Sequence, residues 1–517
     1  MSPASLPPLT RRSLPRERSG LTAGRPAAPP AGIVHLGLGN FHRAHQAVYT
    51  DAALTAEPGP WGIVGVASRS AAVVEALRAQ EMLYTVVQIS PEGYDFRVPD
   101  VHSDAFVAAD EPDRLQDALA APATRIVTLT ITERGYTYAP STGALDLDDD
   151  GVRADLTGRA PARTTIGQLT RGLQRRARAD GAPVTVLSCD NLAENGRHTE
   201  RLVREFAGAL PAAEAEELIG YLDGAVRFPS SMVDRIVPAT TDVYRATIAE
   251  HLGYADAVPV PAEPFSMWVL EDDFAAGRPA WEVGGAIFSD EVTAYEELKL
   301  RLLNGTHSLL AYLGALDGAA TIPEAVGADF IEGAARAVLE QEYLPSLTVP
   351  RDIDVADYEA QLFARWRNTG LGHRTSQVGS DGSTKLRQRI SEPARQLLAA
   401  GSMPHHLALT VAAYLTCMAP MDGFDPGPHA RAMLDPVRDE LAALAATSAD
   451  GTDLARHAIG SRHLLGREMS SAEAFIARTG EFVDILHRAG PRAAVAEAAG
   501  DGGGQSLPGS SPDGAPR

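Results

Sequence analysis

The stretch from Gly32 to His45 limits the fold more than any other part of the chain. Gly32-Ile33-Val34-His35-Leu36 is nearly all apolar, Gly37-Leu38-Gly39-Asn40 follows, and a helical run then continues to about residue 54. A buried strand, a glycine turn and a helix open a βαβ unit. Glycines in that context let a backbone approach a pyrophosphate, which makes Gly37, Leu38, Gly39, Asn40 and Phe41 the candidate cofactor residues. The third glycine of the general fingerprint is missing, with Phe41-His42-Arg43-Ala44-His45 in its place, so a tight turn without ligand stays open at this point. His42 and His45 stand three apart, but no carboxylate or cysteine cluster accompanies them, and no metal is assigned.

The alternation continues. Apolar runs at 61–67, 83–89, 125–131 and 184–187, separated by helical patterns that include 70–80 and 166–179, predict a parallel α/β sheet reaching at least residue 190. Beyond Trp281-Glu282-Val283-Gly284-Gly285 the period becomes helical, at 295–316, 323–342, 358–366, 388–400 and 404–418. The expected organisation is an α/β domain over 31–290 and a mostly α-helical domain over 291–490. Residues 1–30, rich in Pro and Arg with no continuous apolar segment, are expected to be a disordered extension, and the Gly/Ser/Pro-rich 491–517 a disordered tail.

Bulk properties exclude some partners. A formal charge of −21 supplies no basic surface for nucleic acid or an anionic membrane, and no run of about 18 apolar residues suggests a membrane span. Cys189 and Cys417 are the only cysteines, too few for a disulfide framework, which favours the cytosol. At the end of the second strand an NAD-selecting fold usually carries an acid, whereas an arginine there can meet a 2′-phosphate. Here the strand ends Ala67-Ser68-Arg69-Ser70, so Arg69 is a candidate cofactor contact and NAD or NADP stays open.

Of 46 basic residues only Lys299 and Lys385 are lysine. Arginine serves as well as lysine on a surface, but it cannot give up its proton, whereas a desolvated lysine can be lowered from about 10.4 toward neutrality. Lys299 is therefore a candidate general base. It begins Lys299-Leu300-Arg301-Leu302-Leu303-Asn304-Gly305-Thr306-His307, where three complementary polar groups span an arc of about 140° on an α-helix and can face one cleft. A neutral amine can take the proton of an alcohol, and an amide and an imidazole can hydrogen-bond its oxygen.

Several separated motifs make the chain resemble the long-chain mannitol dehydrogenase family of polyol and aldonate dehydrogenases. They are Gly37-Leu38-Gly39-Asn40-Phe41-His42-Arg43-Ala44-His45, Thr132-Glu133-Arg134-Gly135-Tyr136, Cys189-Asp190-Asn191 with Asn195-Gly196, and Phe228 to Pro238 around Asp234-Arg235. Lys299, Asn304 and His307 resemble the family's catalytic element, and Asp381-Gly382-Ser383-Thr384-Lys385 its substrate loop. The resemblance implies a Rossmann-type domain followed by a helical one, metal-independent hydride transfer between NAD and a polyol, keto sugar or uronate, and a monomer or small oligomer. It implies Lys299 as base, Asn191 and Asn304 on the reacting oxygen, His307 orienting substrate, Lys385 on distal oxygens, and Glu133 on a proton path. Asp234 and Arg235 are implied near cofactor and substrate.

Gln377 and Arg387 depart from the usual pattern, while His373-Arg374 is more similar to the uronate branch, whose carboxylate could pair with Arg374, Arg387 or Arg389. A fructuronate reductase, a mannitol 1-phosphate dehydrogenase and a nucleotide-binding protein without turnover are the alternatives.

Overall fold

The computed structural model describes residues 6–14, 25, 27–139, 142–421, 423–460 and 464–501. The chain forms two compact units, Met1–Thr293 and Ala294–Arg517.

Among the described residues, twelve strands form in the first unit: β1 Ala31–Leu36, β2 Gly62–Ala67, β3 Val86–Ser90, β4 Gly93–Arg97, β5 His102–Val107, β6 Ile126–Leu129, β7 Val184–Ser188, β8 Val226–Arg227, β9 Ser231–Asp234, β10 Val260–Ala262, β11 Met267–Leu270 and β12 Ile287–Phe288. Six make an all-parallel sheet in the order β5-β2-β1-β6-β7-β8. Along β1, Ile33 packs into one apolar cluster and Val34 and Leu36 into the other, so both faces of the sheet are covered. That explains why β1 reads as a continuous apolar run rather than an alternating one. The strand order reverses between β1 and β6, which opens a crevice at the strands' carboxyl ends.

The run at 83–89 does not extend this sheet. It becomes β3, which pairs antiparallel with β4 and parallel with β10 in a separate three-stranded sheet. The outer position beside β2 belongs to β5, whose His102, Ser103 and Asp104 hide it from an apolar search.

Both ends are more ordered than expected. Leu9 is fully buried, its N–H donates to the Ala255 carbonyl at 2.8 Å, and Arg11 pairs with Asp100. Arg25 reaches Asp51 at 2.7 Å. The rest of the expected N-terminal disorder, residues 1–5, 15–24 and 26, lies outside the described residues. At the other end one helix runs Glu473–Asp501, kinked at Gly490 before Pro491, and Ala494 and Ala498 beyond the kink are fully buried. Burial of these alanines is what holds 491–501 helical; 502–517 lie outside the described residues.

The second unit is helical. Helices Thr306–Leu316 and His405–Met418 are buried on nearly every side, as expected for helices without a polar face. Among the described residues no helix is long and apolar enough to cross a membrane.

Candidate active site

In the first unit the glycine turn leaves β1 at Gly37, whose φ of +105° suits glycine. A Cβ there would stand 2.1 Å from the Thr130 carbonyl oxygen, so the close passage of this turn over β6 permits no side chain. The Gly37 carbonyl accepts from Thr130 Oγ1 at 2.8 Å and lies 3.0 Å from His35 Nε2. Beneath it His35 stacks on His42 with ring centroids 3.4 Å apart, and His42 Nε2 meets His102 Nε2 at 3.1 Å. Burial lowers all three imidazoles, His35 and His102 to about 3. They are neutral packing groups beneath the turn.

Around the turn lies a cavity of about 420 Å³. Gly37, Gly39, Asn40 and Phe41 form one side; Thr130 to Glu133, following β6, and Cys189 to Leu192, following β7, form the others. Glu133 and Asn191, far apart in sequence, thus line one cavity. Leu38 is buried, and a Cβ on Gly65 would meet its side chain at 2.8 Å. Asn40 is held by Arg43 Nη2 at 2.6 Å and by Thr240 Oγ1 at 3.1 Å. Arg69 is exposed just past the end of β2.

The sequence assigns no role to Asp190, which it shows only as the middle of Cys189-Asp190-Asn191. Its Oδ2 accepts from Tyr136 Oη and from Ser188 Oγ at 2.8 Å, and those two hydroxyls are 2.7 Å from each other. Burial pushes the carboxyl up to about 6 against the pull of the two hydroxyls, and Glu133 adds to the rise.

The Arg235 guanidinium is buried and donates to the main-chain oxygens of Glu263, at 3.0 and 2.8 Å, and of Ala44, so it ties three segments of backbone together. Burial lowers it to about 10. Asp234, also buried, ends β9 beside Met267 of β11.

In the second unit Lys299 does not begin a regular α-helix. Residues Lys299–Gly305 wind as a π-helix between Val292–Leu298 and Thr306–Leu316. An i→i+5 repeat brings residues five apart close to one line along the axis, so Lys299 and Asn304 lie nearer each other in azimuth than α winding would put them. His307 follows one short α step later. Gly305 is needed inside the wide turn, since a Cβ would come within 2.4 Å of Tyr343 Oη.

Lys299 and Asn304 are half-buried and His307 is buried. His307 Nε2 has no hydrogen-bond partner among the described residues. Burial holds its ring well below the usual histidine range, and His373, Arg389, Arg365 and Lys385 push the same way. The rings of His373 and Trp366 lie 5.6 and 6.0 Å from it.

Lys385 and Arg389 sit four apart on helix Gly382–Ala399 and so share a face. The Lys385 ammonium donates to the carbonyls of Ser380 at 2.6 Å and Val378 at 3.3 Å. Burial and then Arg389 lower it to about 8, against the weaker attraction of Asp381 and Asp435. Arg389 Nη1 donates to the Asn304 carbonyl and to Ser308 Oγ, both at 2.9 Å. By contrast, Arg374, Gln377 and Arg387 are exposed.

Comparison with known proteins adds a second line of observation. A family model described as the mannitol dehydrogenase Rossmann domain matches residues 31–283, and one described as the mannitol dehydrogenase C-terminal domain matches 291–484. The D-mannonate oxidoreductase of Escherichia coli (strain K12) is 36% identical over 468 residues, which is 90% of this chain and 95% of that protein. The Pseudomonas fluorescens mannitol 2-dehydrogenase, solved as a ternary complex with NAD and D-mannitol, has a TM-score of 0.81 at 32% identity and covers 95% of this chain and 99% of its own. A substrate-free D-sorbitol dehydrogenase gives 0.82 at 30% identity, over 94% and 100%.

Proposed function

The chain belongs to the mannitol dehydrogenase family of oxidoreductases, and we propose that it moves a hydride between NAD and a secondary alcohol of an open-chain polyol or sugar acid, with Lys299 as the general base. The observation that carries this reading is His307 Nε2. A buried ring nitrogen without a partner, on the helix that also holds Lys299 and Asn304, needs a hydrogen bond that a substrate hydroxyl supplies.

The residues around Gly37 fit a dinucleotide, because a backbone turn with no room for a Cβ is what close approach to a pyrophosphate requires. Bound there, the nicotinamide supplies the hydride acceptor. In alcohol oxidation neutral Lys299 takes the hydroxyl proton while Asn191 and Asn304 donate to the oxygen on which charge develops. His307 orients that oxygen, Lys385 holds hydroxyls further along the chain, and Glu133 passes the proton from Lys299 toward solvent. Ketone reduction reverses each step.

NAD is preferred in this reading, with NADP accepted through Arg69. The enzyme is cytosolic, a monomer or small oligomer; two free, buried cysteines support a reducing compartment.

A sugar acid is a second reading, favoured by Lys385 and Arg389. These two cations share one helix face, and Arg389 has no carboxylate at ion-pair distance among the described residues. A substrate carboxylate would supply the missing charge where a neutral polyol cannot.

The test is a panel of polyols, aldonates, uronates and mannitol 1-phosphate with both cofactors, followed at 340 nm. Turnover of mannitol supports the polyol reading, and turnover of mannonate or fructuronate alone supports the acid reading. Exclusive use of the phosphate ester refutes both, and silence across the panel refutes catalysis.

A further inference from the structure

Asp190, in the wall of the cavity around Gly37, forms a closed triangle of oxygens with Tyr136 and Ser188 behind it. Tyr136 Oη and Ser188 Oγ each meet Asp190 Oδ2, and they meet each other at 2.7 Å. Two hydroxyl protons serve three close approaches. A third proton, on the carboxyl, completes the ring with every O–H directed at an oxygen, so the site holds that proton without leaving a donor unpaired. Without it both hydroxyls still donate to the carboxylate, and only the 2.7 Å contact between Tyr136 and Ser188, then lacking a proton, must lengthen. The three close approaches together fit the protonated site, and one small opening accommodates the ionised one.

Position gives the triangle a use. An acid that recognises the adenosine ribose follows the second strand of a dinucleotide fold, which here is β2, so a bound dinucleotide would direct its nicotinamide end across the reversal point, toward the ends of β6 and β7. Asp190 follows β7 and lines the cavity with Gly37 and Glu133. The oxidised ring is a cation and the reduced ring is neutral.

We infer that Asp190 is a proton-linked counter-charge for the oxidised nicotinamide, giving up a proton when the cationic ring binds and keeping it when the neutral ring binds. This rests on the NAD reading above. The sign follows from the charges: a nearby cation favours carboxylate over carboxyl, so the bound group titrates lower than the free one, which burial holds at about 6. Between those two values binding releases a proton, and affinity weakens as pH falls.

The other groups facing Asp190 do not supply this. Glu133, on the 3-10 helix Glu133–Tyr136, is an acid in the exposed wall and opposes ionisation of Asp190. His198, on helix Asn195–Gly208, packs edge-on to Tyr136 at 5.7 Å, and burial and Arg201 lower its pKa. Cys189 is raised well above the usual thiol range by burial and stays neutral, as does Tyr136. The groups that act most on Asp190 are Tyr136, Ser188, the Leu192 N–H and Glu133, none of them a cation.

The experiment is calorimetric titration of the full-length protein with NAD+ and with NADH between pH 5.5 and 7.5, in buffers of different ionisation enthalpy. The expected result is release of about half a proton per NAD+ at pH 6 and none with NADH. The Kd for NAD+ should rise about fourfold from pH 7.5 to 5.5 while that for NADH stays flat. Asp190→Asn should abolish the release, and Glu133→Gln should retain it. Tyr136→Phe removes one donor to the carboxylate, so the release should persist with its maximum moved to higher pH; this variant keeps the test open if Asp190→Asn fails to fold. Equal proton release with both cofactor forms, or with Asp190→Asn, overturns the inference, as does binding of both forms with no release at all. If neither form binds, the cofactor reading falls and this inference falls with it.

Discussion

Arg389 donates from Nη1 to the main-chain oxygen of Asn304 at 2.9 Å, so a side chain on helix Gly382–Ala399 satisfies a carbonyl of the wide turn that carries Lys299. A π turn breaks the regular hydrogen-bond ladder of its helix, and the carbonyls at its end need partners from elsewhere. Ser308 Oγ is a second, longer donor to the same oxygen at 3.3 Å. Arg389→Met should therefore cost about 1–3 kcal/mol in urea unfolding, the range for a buried acceptor left short of a partner. It should also lower kcat, because Asn304 is then less firmly held. An unchanged unfolding midpoint would show that the turn stands without Arg389.

Lys299→Ala should lower kcat for alcohol oxidation by at least about 10³-fold. Cofactor binding, followed by fluorescence titration, should be nearly unchanged, because the glycine turn is built wholly from the first unit. In the unaltered protein oxidation should rise with pH through a single ionisation, as removal of a proton from the base requires. Turnover near normal in the variant removes Lys299 from the chemistry.

Arg69 follows β2 and is exposed, so it is available to a 2′-phosphate without repacking. Arg69→Ala should raise the KM for NADP about tenfold, the loss of one charge-assisted contact, and leave that for NAD within about twofold. Initial rates with both cofactors decide it. An equal effect on the two would mean that the arginine stacks on adenine instead.

The histidine stack under the turn sets a pH dependence of stability. His35 and His102 are held at about 3 by burial and His42 is also lowered, whereas unfolded histidine titrates near 6.5. Unfolding therefore takes up protons below pH 6.5. The stabilisation is complete above that value and is lost as pH falls toward 3, by about 1.4 kcal/mol per pH unit for each ring. Asp190, raised in the folded state, offsets one ring's share below about 6. Urea midpoints for the unaltered protein and His102→Phe, compared from pH 7 to 5, should show a shallower fall in the variant. Parallel curves would mean that these rings are protonated in the folded state.

Local signals in the chain were read correctly where one segment carries the whole cause. The glycine turn is such a case, since strand, Gly37 and following helix are contiguous and the steric demand of Thr130 acts on one residue. Features assembled from distant segments were not legible. β3 takes β10 as its partner from some 170 residues away, and nothing within 83–89 announces which sheet it joins. The guanidinium of Arg235 binds carbonyls of Ala44 and Glu263, which no spacing rule connects. The Asp190 triangle draws its hydroxyls from a strand and from a separate 3-10 helix. The π turn escaped for a subtler reason. Leu302 and Leu303 keep the stretch apolar enough to continue the α period, and one residue of extra winding is lost in a pattern twenty residues long.

That extra residue has a cost that regular winding of the same sequence would expose. Wound as an ordinary α-helix with no residue removed, Lys299–Gly305 would have a complete ladder and no call on Arg389. Such a helix would be more regular, yet Lys299 would swing by roughly 100° about the axis relative to His307. Lys299 would face a different wall. The irregularity is thus the coordinate on which the amine's aim depends, and a chain repaired toward ideal geometry would gain order and lose its chemistry.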